Sequence, residues 1–138
     1  MSLKPSEVKD DFWIFARSKA GNYPKHTSRG GKWLIFVPVG RIDSTWEIIR
    51  EATELGKLGG SAKAATMRPN PNAQNPNIKV ICVYTYDCTD VSDVRRVEDA
   101  LKGLGFKNLR YKADENTRAG IYSNRGHKNI SQARRESK

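Results

Sequence analysis

The sequence predicts an α+β domain in which two helices lie on one face of an antiparallel or mixed sheet of about six strands. Apolar stretches with a period of two are typical of strands, and two stretches with a period near 3.6 are typical of amphipathic helices. These segments follow one another in the order β, β, α, β, β, α, β, β. Because both helices can cover the same face of such a sheet, the other face is expected to lie open.

The N-terminal part of the chain contains two predicted strands joined by a loop. Residues 1–10 are polar, contain a proline and are predicted to form a flexible lead-in. Residues 11–17 (DFWIFAR) and 32–39 (KWLIFVPV) are rich in aromatic and branched residues, which favours strands. Residues 18–31 between them contain Gly, Pro and cations, which is typical of a loop. The tryptophans of these strands and of the following helix (Trp13, Trp33 and Trp46) are interpreted as core residues.

The central part of the chain is predicted to form a helix and a hairpin. The helix is expected at residues 42–60, where Ser44 and Glu47 match the S-x-x-E capping box. A strand of small residues is expected at 61–68, and the strongest strand pattern of the chain lies at 78–86 (IKVICVYTY). Proline and asparagine dominate the segment between these strands, which predicts a long hairpin loop.

The C-terminal part contains a second predicted helix at residues 89–105, followed by short strands at 106–112 and 118–122. Valine and leucine form one stripe of this helix. Asp90 and Asp93 favour its N-terminus, because negative charge there complements the helix dipole. The order from the second strand to the fifth also matches the ferredoxin-like order of RNA-recognition modules, although their aromatic signature is missing.

Composition narrows the classes of partner. The 138 residues are predicted to form one domain, at residues 11–122. The chain has 25 Lys and Arg against 15 Asp and Glu, a net charge of +10, which favours an anionic partner such as RNA or a phosphorylated nucleotide. Residues 123–138 carry five cations and one acid and are predicted to be a disordered basic tail.

Other kinds of site find no support in the sequence. There is no P-loop, dinucleotide-binding motif or nucleophile motif, and Cys82 and Cys88 have no companions at metal-ligand spacing, so no cofactor and no metal is expected. His26 and His127 lie in polar segments and are not expected to be oriented for acid–base chemistry. No apolar run approaches the ~18 residues of a membrane span and no signal peptide is visible, so we expect a cytoplasmic protein without a membrane partner. A protein partner and any oligomeric state are left open.

The segment RGGKWLIFV at residues 29–37 resembles the R-G-G-[RK]-W-L-I strand of the mRNA cap-binding translation initiation factors of the 4E type. The likeness continues through STWEIIREATELG, SAKAATMR, IKVICVYTYDCTD and VSDVRRVEDALK and covers roughly residues 11–122. It implies a translation initiation factor 4E-like fold: a curved antiparallel sheet of about six strands, two helices on the convex face, and a ligand in the concave face. The segment that carries the first base-stacking tryptophan of that family has no counterpart here, so the chain is not expected to be a true cap binder.

This resemblance also implies roles for single residues. Arg68 matches a phosphate-contacting arginine, Lys32 occupies the position of a basic residue on the concave side, and Tyr84 matches an aromatic residue at the pocket floor. Tyr23 is the aromatic residue near the loop of the second stacking tryptophan. Lys63 is predicted as a site residue from its local sequence and not from the resemblance, because the small-residue bend GGSAK could also offer backbone amides to an anion.

A second resemblance is to the family of the basophilic leukaemia-expressed protein. It is carried by GKWLIFV, W-x-x-I-x-x-A-T-x-x-G-K-L-G-x-S-A-K, YTYDCTD and YKADENTRAGIY, and covers most of the chain. It implies the same fold and draws attention to Lys112 and Arg118 in the last motif. Relatives of this family also suggest a phosphothreonine-lyase-like activity.

The resulting hypothesis is a non-enzymatic module that binds RNA or nucleotide phosphate on the basic concave face. One alternative is an enzyme acting on a phosphate ester, with a lysine as base and His26 as acid. Another is a protein-interaction module that uses the convex helices. The predicted phosphate- or RNA-binding residues are Lys32, Lys63, Arg68, Lys112 and Arg118, and the predicted base-stacking residues are Tyr23 and Tyr84.

Overall fold

The structure, a computed structural model, describes residues 3–69 and 75–114. Within these ranges it contains five strands and two α-helices. The predicted strand at 118–122 and the predicted tail at 123–138 lie outside the described residues. The elements are β1 (Trp13–Arg17), β2 (Gly31–Pro38), α1 (Ile42–Glu54), β3 (Ser61–Ala65), β4 (Ile78–Thr85), α2 (Val91–Gly103) and β5 (Arg110–Ala113).

The five strands form one curved antiparallel sheet in the order β1-β3-β4-β2-β5. Strand β2 pairs with β4 along its whole length, with Gly31 opposite Thr85 and Pro38 opposite Ile78. Strand β5 joins the other side of β2, and β1 forms the opposite edge beside β3. The predicted α+β class with an antiparallel sheet is confirmed, with five strands in the described ranges in place of about six.

Both helices pack against the same face of the sheet and enclose the core there. Trp33 of β2 is fully buried, and its Nε1 donates to the carbonyl oxygen of Val94 in α2 at 3.1 Å. Trp46 and Ile49 bring α1 into the same cluster. The core assignment is therefore confirmed for Trp33 and Trp46. It is wrong for Trp13, which is half-buried and points to the opposite, helix-free side.

The N-terminus of α2 agrees with the sequence pattern. Asp90 is the N-cap, and its Oδ1 accepts a hydrogen bond from the backbone N–H of Asp93 at 3.2 Å. The hydroxyls of Tyr86 and Ser92 also donate to the Asp90 carboxylate. The hydrogen bond from Tyr86 is the main reason that the pKa of Asp90 lies below its ordinary value.

The start of α1 at residue 42 is confirmed, but the helix ends at Glu54 instead of residue 60, and its N-terminus is not capped as predicted. The helix begins at Ile42, directly after a 3₁₀ turn at Val39–Arg41. Ser44 therefore lies inside the first turn, and its hydroxyl donates to the carbonyl oxygen of Arg41 at 3.3 Å. Glu47 forms an ion pair with Arg50. The capping box is wrong because the N-cap is Arg41, three residues before Ser44.

The segment predicted to be a flexible lead-in is attached to α1 in its described part. Pro5–Glu7 form a short 3₁₀ turn in which Pro5 is buried. The backbone N–H of Ser6 donates to Oδ1 of Asp43 at 2.9 Å, and its hydroxyl donates to the same carboxylate. Asp43 thus holds the segment beside the first turn of the helix.

These two helix starts predict a difference in stability between two alanine variants. We expect Asp90→Ala to lower the free energy of unfolding by about 1–2 kcal/mol, because an N-cap and its hydrogen bonds are lost. Ser44→Ala should change it by less than about 0.5 kcal/mol, because Ser44 caps no backbone N–H. Urea unfolding followed by circular dichroism measures both. A cost for Ser44→Ala equal to that of Asp90→Ala would contradict the described start of α1.

Candidate functional site

The side of the sheet without helices is called the open face here. Side chains at alternate positions of each strand point to it, and the pairing of the strands arranges most of them in three rows. The first row is Arg17, Ser61, Tyr84, Lys32 and Lys112. The second row is Phe15, Lys63, Cys82, Leu34 and Arg110. The third row contains Trp13 opposite Ala65 and Val80 opposite Phe36.

The strands supply cations to the open face and no carboxylate. Three cations stand in the first row and two in the second, and none of the five described strands contains Asp or Glu. Arg17, Arg110 and Lys112 are exposed, whereas Lys32 and Lys63 are half-buried. An anion that approaches the first two rows therefore meets attraction from every strand except β4.

A carboxylate closes one end of the first row. Asp114 follows β5, and its Oδ2 lies 2.9 Å from Nε2 of His26, while its Oδ1 accepts a hydrogen bond from Nζ of Lys32 at 3.2 Å. Partial burial acts to raise the pKa of Asp114, but the hydrogen bonds from His26 and Lys32 outweigh it, and the pKa lies below its ordinary value. The imidazole of His26 also lies edge-on to the ring of Tyr84, with 6.1 Å between centroids.

The prediction that His26 is not oriented is therefore wrong. The loop of residues 18–31 passes over the end of the sheet and brings His26 to Asp114, 88 positions further along the chain. The backbone N–H of Asp114 also donates to the carbonyl oxygen of Gly30 at 2.9 Å, which fixes the loop against the end of β5.

Lys63 lies on β3 in the second row, between Phe15 of β1 and Cys82 of β4. Its Nζ lies 3.9 Å from the ring centroid of Trp13 and 5.9 Å from that of Tyr84. Burial lowers the pKa of its ammonium group, because the charged form loses hydration. The backbone of Ser61–Ala65 is paired with strands on both sides, so within β3 the side chain of Lys63, and not the backbone amides, is available to an anion. For the amides of Gly59 and Gly60, which precede β3, contact with an anion stays a prediction.

Arg68 lies apart from the lysines of the first row. Its guanidinium carbon is 4.3 Å from the ring centroid of Phe12, and its Nη1 donates to the carbonyl oxygen of Asp10. Arg68 follows Ala65, the last residue of β3, whereas the first row crosses β3 at Ser61. Ser61 and Ala65 are roughly 13 Å apart along the strand, and Arg68 lies beyond Ala65. The structure thus places Arg68 beside the third row and does not bring it to Lys32.

Two further predicted site residues, Lys112 and Tyr84, lie in the first row. Lys112 is exposed and stands directly opposite Lys32 in the first row. The ring of Tyr84 lies in the same row, between β3 and β2. Arg118 lies outside the described residues.

Tyr23 lies beside the first row in a small cleft that it shares with Tyr84. Its hydroxyl donates to Asp93 and accepts from the backbone N–H of Tyr86, and its ring meets the ring of Tyr86 edge-on at 5.5 Å. Burial, followed by the hydrogen bond to Asp93, raises the pKa of Tyr23 well above its ordinary value. These contacts anchor the loop of residues 18–31 to the first turn of α2. Stacking of a base on Tyr23 or Tyr84 stays a prediction.

Several residues of the open face were not predicted as site residues. Alternation along a strand would have found two of them, because Phe36 shares a face with Lys32 and Arg110 shares a face with Lys112. Arg17 and Phe15 required the strand order, since the pattern of β1 alone does not say which of its faces meets the helices. Asp114 carried no local signal beyond its position in the motif YKADENTRAGIY.

An apolar cleft of about 410 Å³ lies at the third-row end of the open face. It is called the aromatic cleft here. Its lining includes Phe12, Trp13, Phe36, Ala65, Arg68, Ile78 and Val80.

The described residues offer neither a metal-binding cluster nor a membrane-spanning helix. In the ranges 3–69 and 75–114, no group of three or more His, Cys, Asp or Glu is placed so that it could hold a metal ion. Neither α1 nor α2 has the length and apolar character that crossing a membrane requires.

The chain matches the model of a known family. The family model described as Basophilic leukemia-expressed protein Bles03 matches residues 24–118, well over half of the 138 residues. The matched range contains strands β2–β5, both helices, and the His26–Asp114 contact. It confirms the resemblance carried by GKWLIFV, YTYDCTD and YKADENTRAGIY.

Proposed function

We propose that this chain, which belongs to the family of the Basophilic leukemia-expressed protein Bles03, is a non-enzymatic module that binds RNA or a phosphorylated nucleotide on its open face. The observation that carries the proposal is the set of five cations in the first two rows, on strands that contain no carboxylate. Such a surface attracts the phosphates of a nucleic acid without needing a particular base sequence.

The two kinds of cation on the open face would serve different contacts. Arg17 and Arg110 are exposed and can each present two parallel N–H groups to a phosphate. Lys32, Lys63 and Lys112 act as point charges that tolerate several approaches. Phe15 is 62% exposed within the second row and offers a ring on which a base can stack.

The 4E-type fold belongs to the same proposal. The antiparallel sheet, the two helices on one face and the RGGKWLIFV strand beside Lys32 support it. Cap binding is not part of the proposal, since the segment with the first stacking tryptophan has no counterpart in this chain. Lys32 and Tyr84 lie on the face where that resemblance expects the ligand.

The proposal is tested by comparing two lysines that differ in their position. Labelled mixed-sequence single-stranded RNA is titrated at two salt concentrations with Lys112→Gln and with Lys57→Gln, both exposed lysines, the second of which follows α1 on the helix side. We expect Lys112→Gln to weaken binding about fivefold and to reduce the salt slope by about 0.7, and Lys57→Gln to leave both unchanged. Equal weakening by the two variants would mean that binding follows total charge, and the open face would not be the site.

The lowered pKa of Lys63 gives a second test. Because burial lowers this pKa, the ammonium group loses its proton at a lower pH than an ordinary lysine. Affinity should therefore fall as the pH is raised from about 7 to about 10, and the fall should be smaller in Lys63→Arg, which stays charged. Titration with 2′-O-methylated RNA, which resists alkali, measures both proteins. The same pH dependence in both would mean that Lys63 does not contact the ligand.

One observation favours a second candidate, an enzyme that acts on a phosphate ester. Asp114 orients His26, and Lys63 with its lowered pKa stands on the same face. In that case Lys63→Ala should abolish turnover of a phosphorylated substrate and leave binding measurable. In a binding module Lys63→Ala only weakens affinity, and mass spectrometry of the phosphorylated probe after incubation finds it unchanged.

A further inference from the structure

The aromatic cleft is bounded by rings on two sides. Phe12 and Trp13 form the side at β1, and Phe36 and Ile78 form the side at β2 and β4. The small residues Ala65 and Val80 lie between them. The cleft is therefore a trough whose walls carry aromatic side chains and whose floor is formed by the shorter side chains of Ala65 and Val80.

Three large apolar side chains that line this cleft are exposed to solvent and form one group on the surface. Phe12 is 40% exposed, Phe36 is 51% exposed and Ile78 is 39% exposed, and all three line the same cleft. Isolated apolar residues on a surface are ordinary, but a contiguous group of them indicates a binding site. Its volume of about 410 Å³ falls within the range of roughly 300–1,000 Å³ that is usual for sites of small ligands.

The charges around the cleft specify what kind of ring it suits. Nζ of Lys63 lies 3.9 Å from the ring centroid of Trp13, and the guanidinium of Arg68 lies 4.3 Å from that of Phe12. Among the described residues that line the cleft there is no Asp or Glu. Lys63 belongs to the second row, and its ammonium group lies against Trp13, which lines the cleft, so the basic rows reach one of the aromatic walls. This combination fits a planar aromatic group that is attached to an anion.

We propose that the aromatic cleft takes an unpaired base of a single-stranded nucleic acid whose phosphates lie on the first and second rows. The inference rests on the proposed function and adds the class of ligand. In a duplex the faces of the bases are covered by their neighbours, whereas an unpaired base can leave the stack and lie against aromatic side chains. Every base has such a face, so the cleft is expected to tolerate different bases.

The test separates the base from the phosphates. The probes are a mixed-sequence single-stranded RNA, its duplex, and an abasic oligonucleotide of the same length and charge. We expect the single strand to bind roughly tenfold more tightly than the abasic probe. Phe36→Ala should remove this advantage and leave the salt slope unchanged, because its ring carries no charge. Ile48→Ala, which removes a similarly exposed apolar side chain from α1, is the control and should keep the advantage.

Tryptophan fluorescence supplies a readout on the unchanged protein. Trp33 and Trp46 are buried, whereas Trp13 lines the cleft, so stacking of a base should quench the emission of Trp13. The abasic probe should not quench it, and Trp13→Phe should lose the effect.

The possible outcomes separate this inference from the proposed function. If the abasic probe or the duplex binds as tightly as the single strand, or if Phe36→Ala weakens all probes equally, the cleft does not take a base, while phosphate binding on the open face stands. If no probe binds with a salt-dependent affinity, both proposals fail. Loss of the base-dependent advantage in Phe36→Ala alone, with quenching by the single strand alone, supports the cleft as the base site.

Discussion

Replacing Lys32, Lys63 and Lys112 together with Gln is expected to weaken the binding of single-stranded RNA by roughly 100-fold or more, since each charge-assisted contact contributes on the order of 1–2 kcal/mol. The three side chains come from strands β5, β2 and β3 and share the open face; β5 and β2 are neighbours, and β4 lies between β2 and β3. Because each phosphate contact with a single strand contributes about 0.7 to the slope of log K against log salt, the slope should fall by about two. Fluorescence anisotropy over a range of salt concentrations measures both quantities.

The matched control removes the same charge from the other side of the molecule. Lys57, Arg95 and Lys102 are exposed residues on the helices or directly after them. Their combined replacement with Gln should leave the salt slope nearly unchanged and alter affinity only through the net charge. If this control lost as much affinity as the open-face variant, the cations would act as a general cloud of charge, and the rows would have no special role. Thermal unfolding of both variants checks that each remains folded.

The elements of the fold were predictable because their patterns are local. Strand β4 is a run of branched and aromatic residues, and α2 combines an apolar stripe with the N-cap Asp90, so propensity and periodicity agree. The boundaries were less predictable. Residues 106–112 contain too few apolar residues to show where β5 begins, and only its pairing with β2 places it at Arg110–Ala113. The first helix begins at residue 42 as predicted, but it ends at Glu54, six residues before the end of the predicted range.

Site residues were predictable where the sequence of a single strand identifies them. They were not predictable where their position depends on how several strands pair. Lys32 and Tyr84 were assigned by resemblance, and they stand directly opposite each other in the pairing of β2 with β4. Arg68 was assigned in the same way, but its place beside the third row depends on where β3 ends against β1. The contact of His26 with Asp114 joins a loop to the end of the last described strand, and no periodic pattern connects such positions.

Strand β1 shows why one face of a strand cannot always be read from its sequence. In the segment WIFAR, large apolar residues occur at successive positions, so alternation does not say which set meets the helices. The structure buries Ile14 and Ala16 and leaves Phe15 exposed. The pairing of β1 with β3 decides which side chains of β1 are buried. Ala64 stands opposite Ile14 on the helix side, and Lys63 stands opposite Phe15 on the open face. An apolar residue of this strand therefore contributes to the core on one face of the sheet, whereas on the other face it stays exposed and available to the ligand that we propose.

Trp33→Ala is expected to lower the free energy of unfolding by about 3–5 kcal/mol, the usual cost of removing a fully buried aromatic side chain. Trp33 has no exposed surface, and its ring meets that of Tyr111 edge-on with 5.0 Å between centroids. Its loss also leaves the carbonyl oxygen of Val94 without the hydrogen bond from Nε1. For a domain of this size such a cost is a large part of the total stability, so the variant should unfold at much lower urea concentration or fail to accumulate as a folded protein.

Phe15→Ala, which removes another aromatic side chain from the same sheet, should change the free energy of unfolding by less than about 0.5 kcal/mol, because the side chain is exposed and already in water. Urea unfolding followed by circular dichroism compares the two variants directly. A large cost for Phe15→Ala would mean that the open face is covered in the folded protein, and a small cost for Trp33→Ala would mean that the helices do not pack where the structure places them. The expected difference in free energy assigns the helix side of the sheet to stability. An exposed ring of Phe15 that contributes little to folding agrees with the ligand-binding role that we propose for the open face with its five cations.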